Sequence, residues 1–339
     1  MINITSAFYD KLDVTDKVKS LVDNDSLDIT VSNDIFGDPA QYKVKKLKIE
    51  YEIDGIPHSS FAYEGCKLRI PEIGESGKNR ILLVTSCNRV KQVILAITIN
   101  SYLIKEKFHL IIADSSTPNL SPEEGFSMHN QEPYNHITEV NYCPDVSLFD
   151  KHISILPNII SHRIIQLSPR LEKAQGDASL ITLGLSQASL IGSQDTRENY
   201  CLKLTGVSIL TDDLLSGLDK SLENKDVLTF HRSHFGHGEY STRIFGCRPN
   251  ELGPILQKAG WMKWVNPQAG DTEFRFADII NENIPSDRIL YTKRDESCLL
   301  DNGGNSNIEM RSKINNHIIQ NNIPLANPII KEFMDGGIW

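Results

Sequence analysis

Four consecutive apolar residues, Ile81-Leu82-Leu83-Val84, constrain this chain more than any other feature. A strand that is apolar at every position has no face to give to water, so it must be covered on both sides, as parallel strands are. Residues 89–105 follow with apolar positions at Val90, Val93, Ile94, Ile97, Tyr102 and Ile104, a helical spacing. Phe108 to Ala113 then reads as a second buried strand. Strand, helix and strand in this succession predict a right-handed βαβ unit, and with it an α/β domain. Further on, the pattern predicts strands at 136–142, 200–210, 226–231, 241–247 and 289–292. It predicts helices over 150–193 with interruptions, and at 212–223, 250–259, 273–283 and 310–321. No unit of about 20–50 residues repeats, which excludes solenoids and propellers.

The first seventy or so residues follow a different period. From Lys43 to Asp54, Leu47, Ile49, Tyr51 and Ile53 alternate with Lys46, Lys48, Glu50 and Glu52, the signature of a strand with one wet face. Leu27 to Val31 alternates in the same way, and His58–Tyr63 and Lys67–Ile70 read as further strands. Asn33-Asp34, Gly37-Asp38-Pro39 and Asp54-Gly55 supply turns between them. These signals predict a small all-β sandwich of two packed sheets, without a paired titratable cluster, that serves interaction or spacing. Pro71–Arg80 is a polar, glycine-containing linker. The expected division is an accessory unit over residues 1–75 and an α/β domain over 76–339.

Composition narrows the partners. The chain has 339 residues, 40% hydrophobic and 23% charged, with a formal net charge of -9. Such a balance argues against a general nucleic-acid binder, which carries a basic face. Small anions remain compatible, since a few aimed cations and a helix N-terminus suffice to hold a phosphate. No run of about 18 apolar residues exists to span a bilayer. The N-terminal MINITSAFYDKLD shows no basic flank before an apolar core, so no secretory signal is expected. Six cysteines, at 66, 87, 143, 201, 247 and 298, stand singly without a CxxC. That pattern suits reduced thiols and a cytoplasmic location better than disulfides or structural zinc.

Two polar clusters carry the chemistry. Thr85-Ser86-Cys87-Asn88-Arg89 ends the first strand and Asp114-Ser115-Ser116 ends the second. Ligands of open α/β sheets bind outside the carboxyl ends of the strands, and a carboxylate there accepts from a ribose or a base. The same residues also serve as ordinary loop ends. There is no GxGxxG and no GxxxxGK[ST] between them. Residues 81–116 as a whole resemble the opening of nucleotide-sugar glycosyltransferases with the GT-A fold, whose first strand runs into T-x-C-N-R. A second segment, Tyr200-Cys201-Leu202-Lys203-Leu204-Thr205-Gly206, resembles the K-[IL]-[TS]-G-R-Y stretch of certain bacterial and viral glycosyltransferases, with Gly176-Asp177 and a helix before it. The resemblance implies a GT-A-like mixed sheet flanked by helices. It places Thr85, Asn88, Arg89, Asp114, Lys203, Thr205 and Gly206 around a nucleotide-sugar donor, with Lys203 offsetting diphosphate charge. The segments from Asp13 to Val18, Leu47 to Tyr51 and Lys67 to Pro71 are similar to a domain of unknown function that closes some J-domain co-chaperones. It implies an accessory β module, without established chemistry, and nothing about substrate; a protein partner through this unit is a separate expectation.

The chain departs from these patterns in two places. Val207-Ser208 stands where the family has Arg-Tyr, and no D-x-D occurs to hold Mg²⁺ or Mn²⁺. Asp212-Asp213 is acidic but opens a predicted helix, where such residues cap. A metal-independent reaction and coordination by a single carboxylate both stay open. Glu273 and Asp271 are the candidates for the base that deprotonates an acceptor hydroxyl, and the same pair forms an ordinary helix start. His231, His234 and His237 lie in a glycine-containing loop that reads as a substrate loop, with Arg232 and Arg243 as phosphate contacts. Trp261 and Trp264 suit either stacking on an acceptor sugar or packing. The expectation is therefore a glycosyltransferase acting on a glycan or lipid-linked acceptor, as in polysaccharide biosynthesis. The alternatives are an inactive GT-A-like scaffold whose β unit binds a partner, and an α/β enzyme for another phosphorylated metabolite.

Overall fold

The computed structural model describes residues 2–23, 25–40, 45–53, 56–64, 67–70, 78–116, 143–167, 173–191, 199–231, 240–260, 272–293, 298–299 and 307–337. They fall into two compact units, Met1–Ile73 and Gly74–Trp339.

In the first unit, β1 (Ile2–Tyr9), β2 (Leu12–Asp13), β4 (Lys46–Ile53) and β5 (Ile56–Tyr63) form an antiparallel sheet in the order β2-β1-β4-β5. β3 (Leu27–Thr30) and β6 (Lys67–Ile70) pair separately. Leu47, Ile49 and Tyr51 of β4 are buried, as the alternation predicts, and share one core with Leu27, Ile29, Leu68 and Ile70. Strands do not complete that core alone. Helix α1 (Thr15–Ser20) adds Val18 and the single turn α2 (Asn33–Phe36) adds Phe36, whose ring packs against Tyr9. The expected all-β unit thus carries two short helices. It also has an N-terminal strand, β1, that its sequence, INITSAFY, does not announce.

The second unit is a seven-stranded mixed sheet between two helical layers. Its strands are β7 (Asn79–Ser86), β8 (Phe108–Asp114), β9 (Ile159–Gln166), β10 (Asn199–Thr205), β12 (Val227–His231), β13 (Ile244–Cys247) and β14 (Ile289–Lys293). A separate small pair joins β11 (Ile209–Leu210) to β15 (Cys298–Leu299). The order in the large sheet is β14-β12-β13-β10-β7-β8-β9, and β13 alone runs against its neighbours. Every residue of β7 and β8 is buried. Leu82, Val84, Leu110 and Ile112 face α3 (Val90–Leu103) and α4 (Ser147–Ile153). Ile81, Leu83, Ile111 and Ala113 face α5 (Lys173–Ala188).

α6 (Leu218–Ser221) is one turn long. α7 (Pro249–Ala259) and α8 (Thr272–Asn283) join the α5 layer, while α9 (Asn307–Gln320) and α10 (Pro328–Met334) join the α3 layer. At the base of the sheet, Asn79 Nδ2 donates to Asn199 Oδ1 at 2.7 Å, which fixes the register of β7 against β10.

Three expectations change. The stretch 150–193 is not one interrupted helix, because β9 lies within it as an edge strand. The helix at 212–223 shrinks to α6, with Asp213 accepting from the Ser216 amide at 3.1 Å and the Lys105 amide at 2.9 Å. The α10 helix is added after the expected closing helix. The strand expected at 136–142 lies outside the described residues.

Candidate functional site

The chain reverses direction across the sheet after β7. From β7 it builds outward through β8 and β9, then returns to lay β10 on the other flank of β7. The crevice at the carboxyl ends of β7 and β10 is therefore the topological switch point, where ligands of open sheets bind.

On the α3 side of the sheet, Ser86 and Asp114 lie in register at the ends of β7 and β8. Asp114 is fully buried. Its Oδ2 accepts from the Ser116 amide at 2.8 Å and its Oδ1 from the Ser116 hydroxyl at 2.9 Å. That hydroxyl in turn accepts from the Asn88 amide at 2.8 Å. Burial pushes the Asp114 carboxyl up, and the Ser116 donors pull it partly back. Asn88 makes the turn from β7 into α3 with a left-handed φ of 53°, a conformation asparagine tolerates better than most residues. Arg89 follows, half-buried, in a parallel bridge with Cys143, whose carbonyl accepts from the Val90 amide at 2.9 Å. The Cys87 thiol donates to the Ser115 carbonyl at 3.8 Å, and burial pushes its pKa up to about 11. It is a poor nucleophile.

On the α5 side, Thr85 lies in register with Thr205, and Lys203 with Leu83. Thr85 is 3% exposed, and among the described residues its hydroxyl has no hydrogen-bond partner. An unmade bond on a buried hydroxyl costs about 1–3 kcal/mol, so such a group at a strand end calls for a partner. Gly206 has a packing reason to be glycine. Its amide donates to the Thr85 carbonyl at 2.7 Å, and a Cβ there would stand 2.6 Å from Val93 Cγ2 and 2.8 Å from that same carbonyl.

Lys203 is buried, 1% exposed. Its Nζ donates to the Thr242 carbonyl and, at 3.3 Å, to Thr205 Oγ1. Thr242 Oγ1 donates to Glu273 Oε1 at 3.3 Å. Burial pulls the Lys203 pKa down to about 8, against the upward pull of Asp177 and Glu273, while Arg243 adds to the fall.

The structure thus gathers Lys203, Thr205, Arg243 and Glu273 on one face of the carboxyl edge, and Asp114, Asn88 and Arg89 at the other corner of β7. Asp271, Arg232, His234 and His237 lie outside the described residues. The Thr242 carbonyl is the contact that sequence patterns miss, because it comes from 39 residues away. Among the described residues no three His, Cys, Asp or Glu side chains converge as a divalent cation requires. None of their helices is long and apolar enough to cross a membrane.

No protein-family model matches the chain, and no curated protein matches it. Several solved structures that resemble it are glycosyltransferases. GlyE of Streptococcus pneumoniae TIGR4 is 14% identical, with a TM-score of 0.37 over 73% of this chain and 52% of that one. The chain thus spans about half the length of that structure. A glycosyltransferase involved in glycosylation of the major capsid of PBCV-1 is 12% identical, with a TM-score of 0.38 over 69% of this chain and 98% of that one. The galactosyltransferase LgtC, solved with donor and acceptor sugar analogs, is 10% identical, with a TM-score of 0.36 over 62% of this chain and 73% of that one.

Proposed function

We propose that this chain is a GT-A-like glycosyltransferase that moves a sugar from a nucleotide-sugar donor to a hydroxyl of a glycan or lipid-linked acceptor. The observation that carries the reading is the buried Thr85 hydroxyl at the switch point between β7 and β10, without a hydrogen-bond partner among the described residues. It is a hydrogen-bonding group held ready at the place where α/β sheets take nucleotides. Asp114 at the next strand end, its oxygens taken by Ser116, holds the turn that would face the nucleoside, with Asn88 and Arg89 at the start of α3, whose N-terminal dipole favours an anion. Thr205 and Gly206 form the opposite rim.

Transfer leaves a nucleoside phosphate with added negative charge, which a preorganised cation must meet. Arg243 is the described candidate, and Arg232, His234 and His237 in the preceding sequence are the others. Glu273, or Asp271 two residues before it, takes the proton of the attacking hydroxyl where the transfer inverts configuration. Among the described residues no ligand cluster for Mg²⁺ or Mn²⁺ is formed, and both a metal-independent transfer and one assisted by a single carboxylate fit the reading. The N-terminal unit is an accessory module, and binding a protein partner is the role proposed for it.

Calorimetric titration with UDP, GDP, CMP and dTDP, each with and without Mn²⁺, tests the reading. Binding of one nucleotide is expected and fixes the donor class. Silence from all four, in protein with an intact cooperative melt, replaces it with the non-catalytic scaffold.

A further inference from the structure

One buried group in the second unit that is costly to keep charged is a lysine. Lys203 sits on a central strand with its ammonium out of contact with water, which strongly disfavours the charged form unless donors and charges are met. They are met from three directions. The strand's own end gives Thr205 Oγ1, and the turn before β13 gives the Thr242 carbonyl. The carboxylates of Asp177 on α5 and Glu273 on α8 lie within electrostatic reach. The charged group that opposes them is Arg243, next to Thr242 in the same turn.

The path continues outward, because Thr242 gives its carbonyl to Lys203 and its hydroxyl to Glu273. One residue therefore sits between the buried ammonium and the half-buried carboxylate. Arg243, by contrast, is half-exposed and has no ion pair among the described residues. A phosphate reaching Lys203 would have to displace the Thr242 carbonyl from inside the sheet layer. To reach Arg243, it need displace nothing described.

We propose that Lys203 is a positioning residue whose buried ammonium ties the end of β10 to the 241–243 turn and seats Glu273 through Thr242, leaving contact with an anionic ligand to Arg243. This rests on the reading of the carboxyl edge as a nucleotide site. It reverses the charge assignment that the sequence resemblance implies for Lys203.

The test uses the full chain with ¹³C-labelled lysine. The Lys203 Cε resonance, identified by its loss in Lys203→Met, is expected to titrate near pH 8, apart from the other lysines. In Glu273→Gln that titration moves to lower pH, because a carboxylate that holds the proton is gone. In parallel, the nucleotide that binds the wild type most tightly among UDP, GDP, CMP and dTDP is titrated into the variants. Arg243→Ala is expected to weaken it about tenfold or more, a loss of the size that one charge-assisted contact gives. Lys203→Met should weaken it less than about threefold.

A tenfold loss in Lys203→Met with none in Arg243→Ala overturns the proposal. So does a Lys203 titration unmoved by Glu273→Gln. If Lys203→Met does not fold, Glu273→Gln and Arg243→Ala keep the lysine and decide alone, with the Lys203 resonance then recognised by its low titration point. If the wild type binds none of the four nucleotides, the functional reading fails, while the resonance arm still decides whether Lys203 and Glu273 are coupled.

Discussion

Asp114 and Lys203 are both fully buried charged residues near the carboxyl ends of adjacent parts of one sheet, and they are accommodated by opposite means. Asp114 is served from two residues away: the amide and hydroxyl of Ser116 fill both of its oxygens. Lys203 depends on Thr242, which arrives only when β13 has paired with β10. The first corner is a local turn that carries its own partners. The second exists only as a product of the whole sheet. A buried charge of the first kind survives rearrangement elsewhere in the domain, and one of the second kind reports on it.

The largest expected effect breaks the local corner. Asp114→Ala leaves the Ser116 donors unserved in a dry site, at a cost of about 3 kcal/mol in urea unfolding. Asp114→Asn keeps an acceptor and should hold stability within about 1 kcal/mol while weakening nucleotide binding. If the two variants unfold alike, the corner is not held by hydrogen bonds to the carboxylate.

The next effect probes the distant corner through pH. The folded Lys203 pKa, about 8, lies below the unfolded value near 10.4. Below pH 8 both states hold the proton, and the folded state bears the full burial cost. Between about 8 and 10.4 the unfolded state binds more protons, so stability rises with pH, by about 3 kcal/mol in all. The difference between wild type and Lys203→Met, followed by denaturant unfolding from pH 7 to 10.5, should show that rise. A flat difference means that the ammonium is solvated.

Gly206→Ala tests the seam between the corners, where a methyl would press on Val93 and the Thr85 carbonyl. Overpacking there should cost about 2 kcal/mol, read as a lowered melting temperature. The smallest effect is the control. Glu332→Gln removes a partly exposed ion pair to Lys91, 2.8 Å long, and should change stability by less than about 1 kcal/mol. A larger loss would show that charges away from the strand ends matter as much as the two corners.

The sequence makes one of these corners readable and hides the other. β7, α3 and β8 are legible because continuous apolar runs and a helical stripe leave them no alternative, and Asp114-Ser115-Ser116 follows directly from where β8 ends. Lys203 is visible as a residue but not as a buried one, since its partner's identity depends on the register between β10 and β13. β9 is hidden for another reason. Ile153, Leu156, Ile160 and Ile164 recur every three or four residues, so the segment imitates a helix. As an edge strand it is only half-buried and lacks the continuous apolar run that reveals its neighbours.

The position of β10 also sets a timetable for folding. β7 leaves the ribosome before β10, and one of its two flanks stays open until that strand, about 120 residues later, pairs with it, as the contact of Asn79 with Asn199 records. Closing so long a loop makes the centre of the sheet a late and slow event. The described strands of the first unit pair only with one another, so those pairings are available while the second unit is still being made. During that interval β7 presents an apolar, unpaired edge, the form most open to wrong partners.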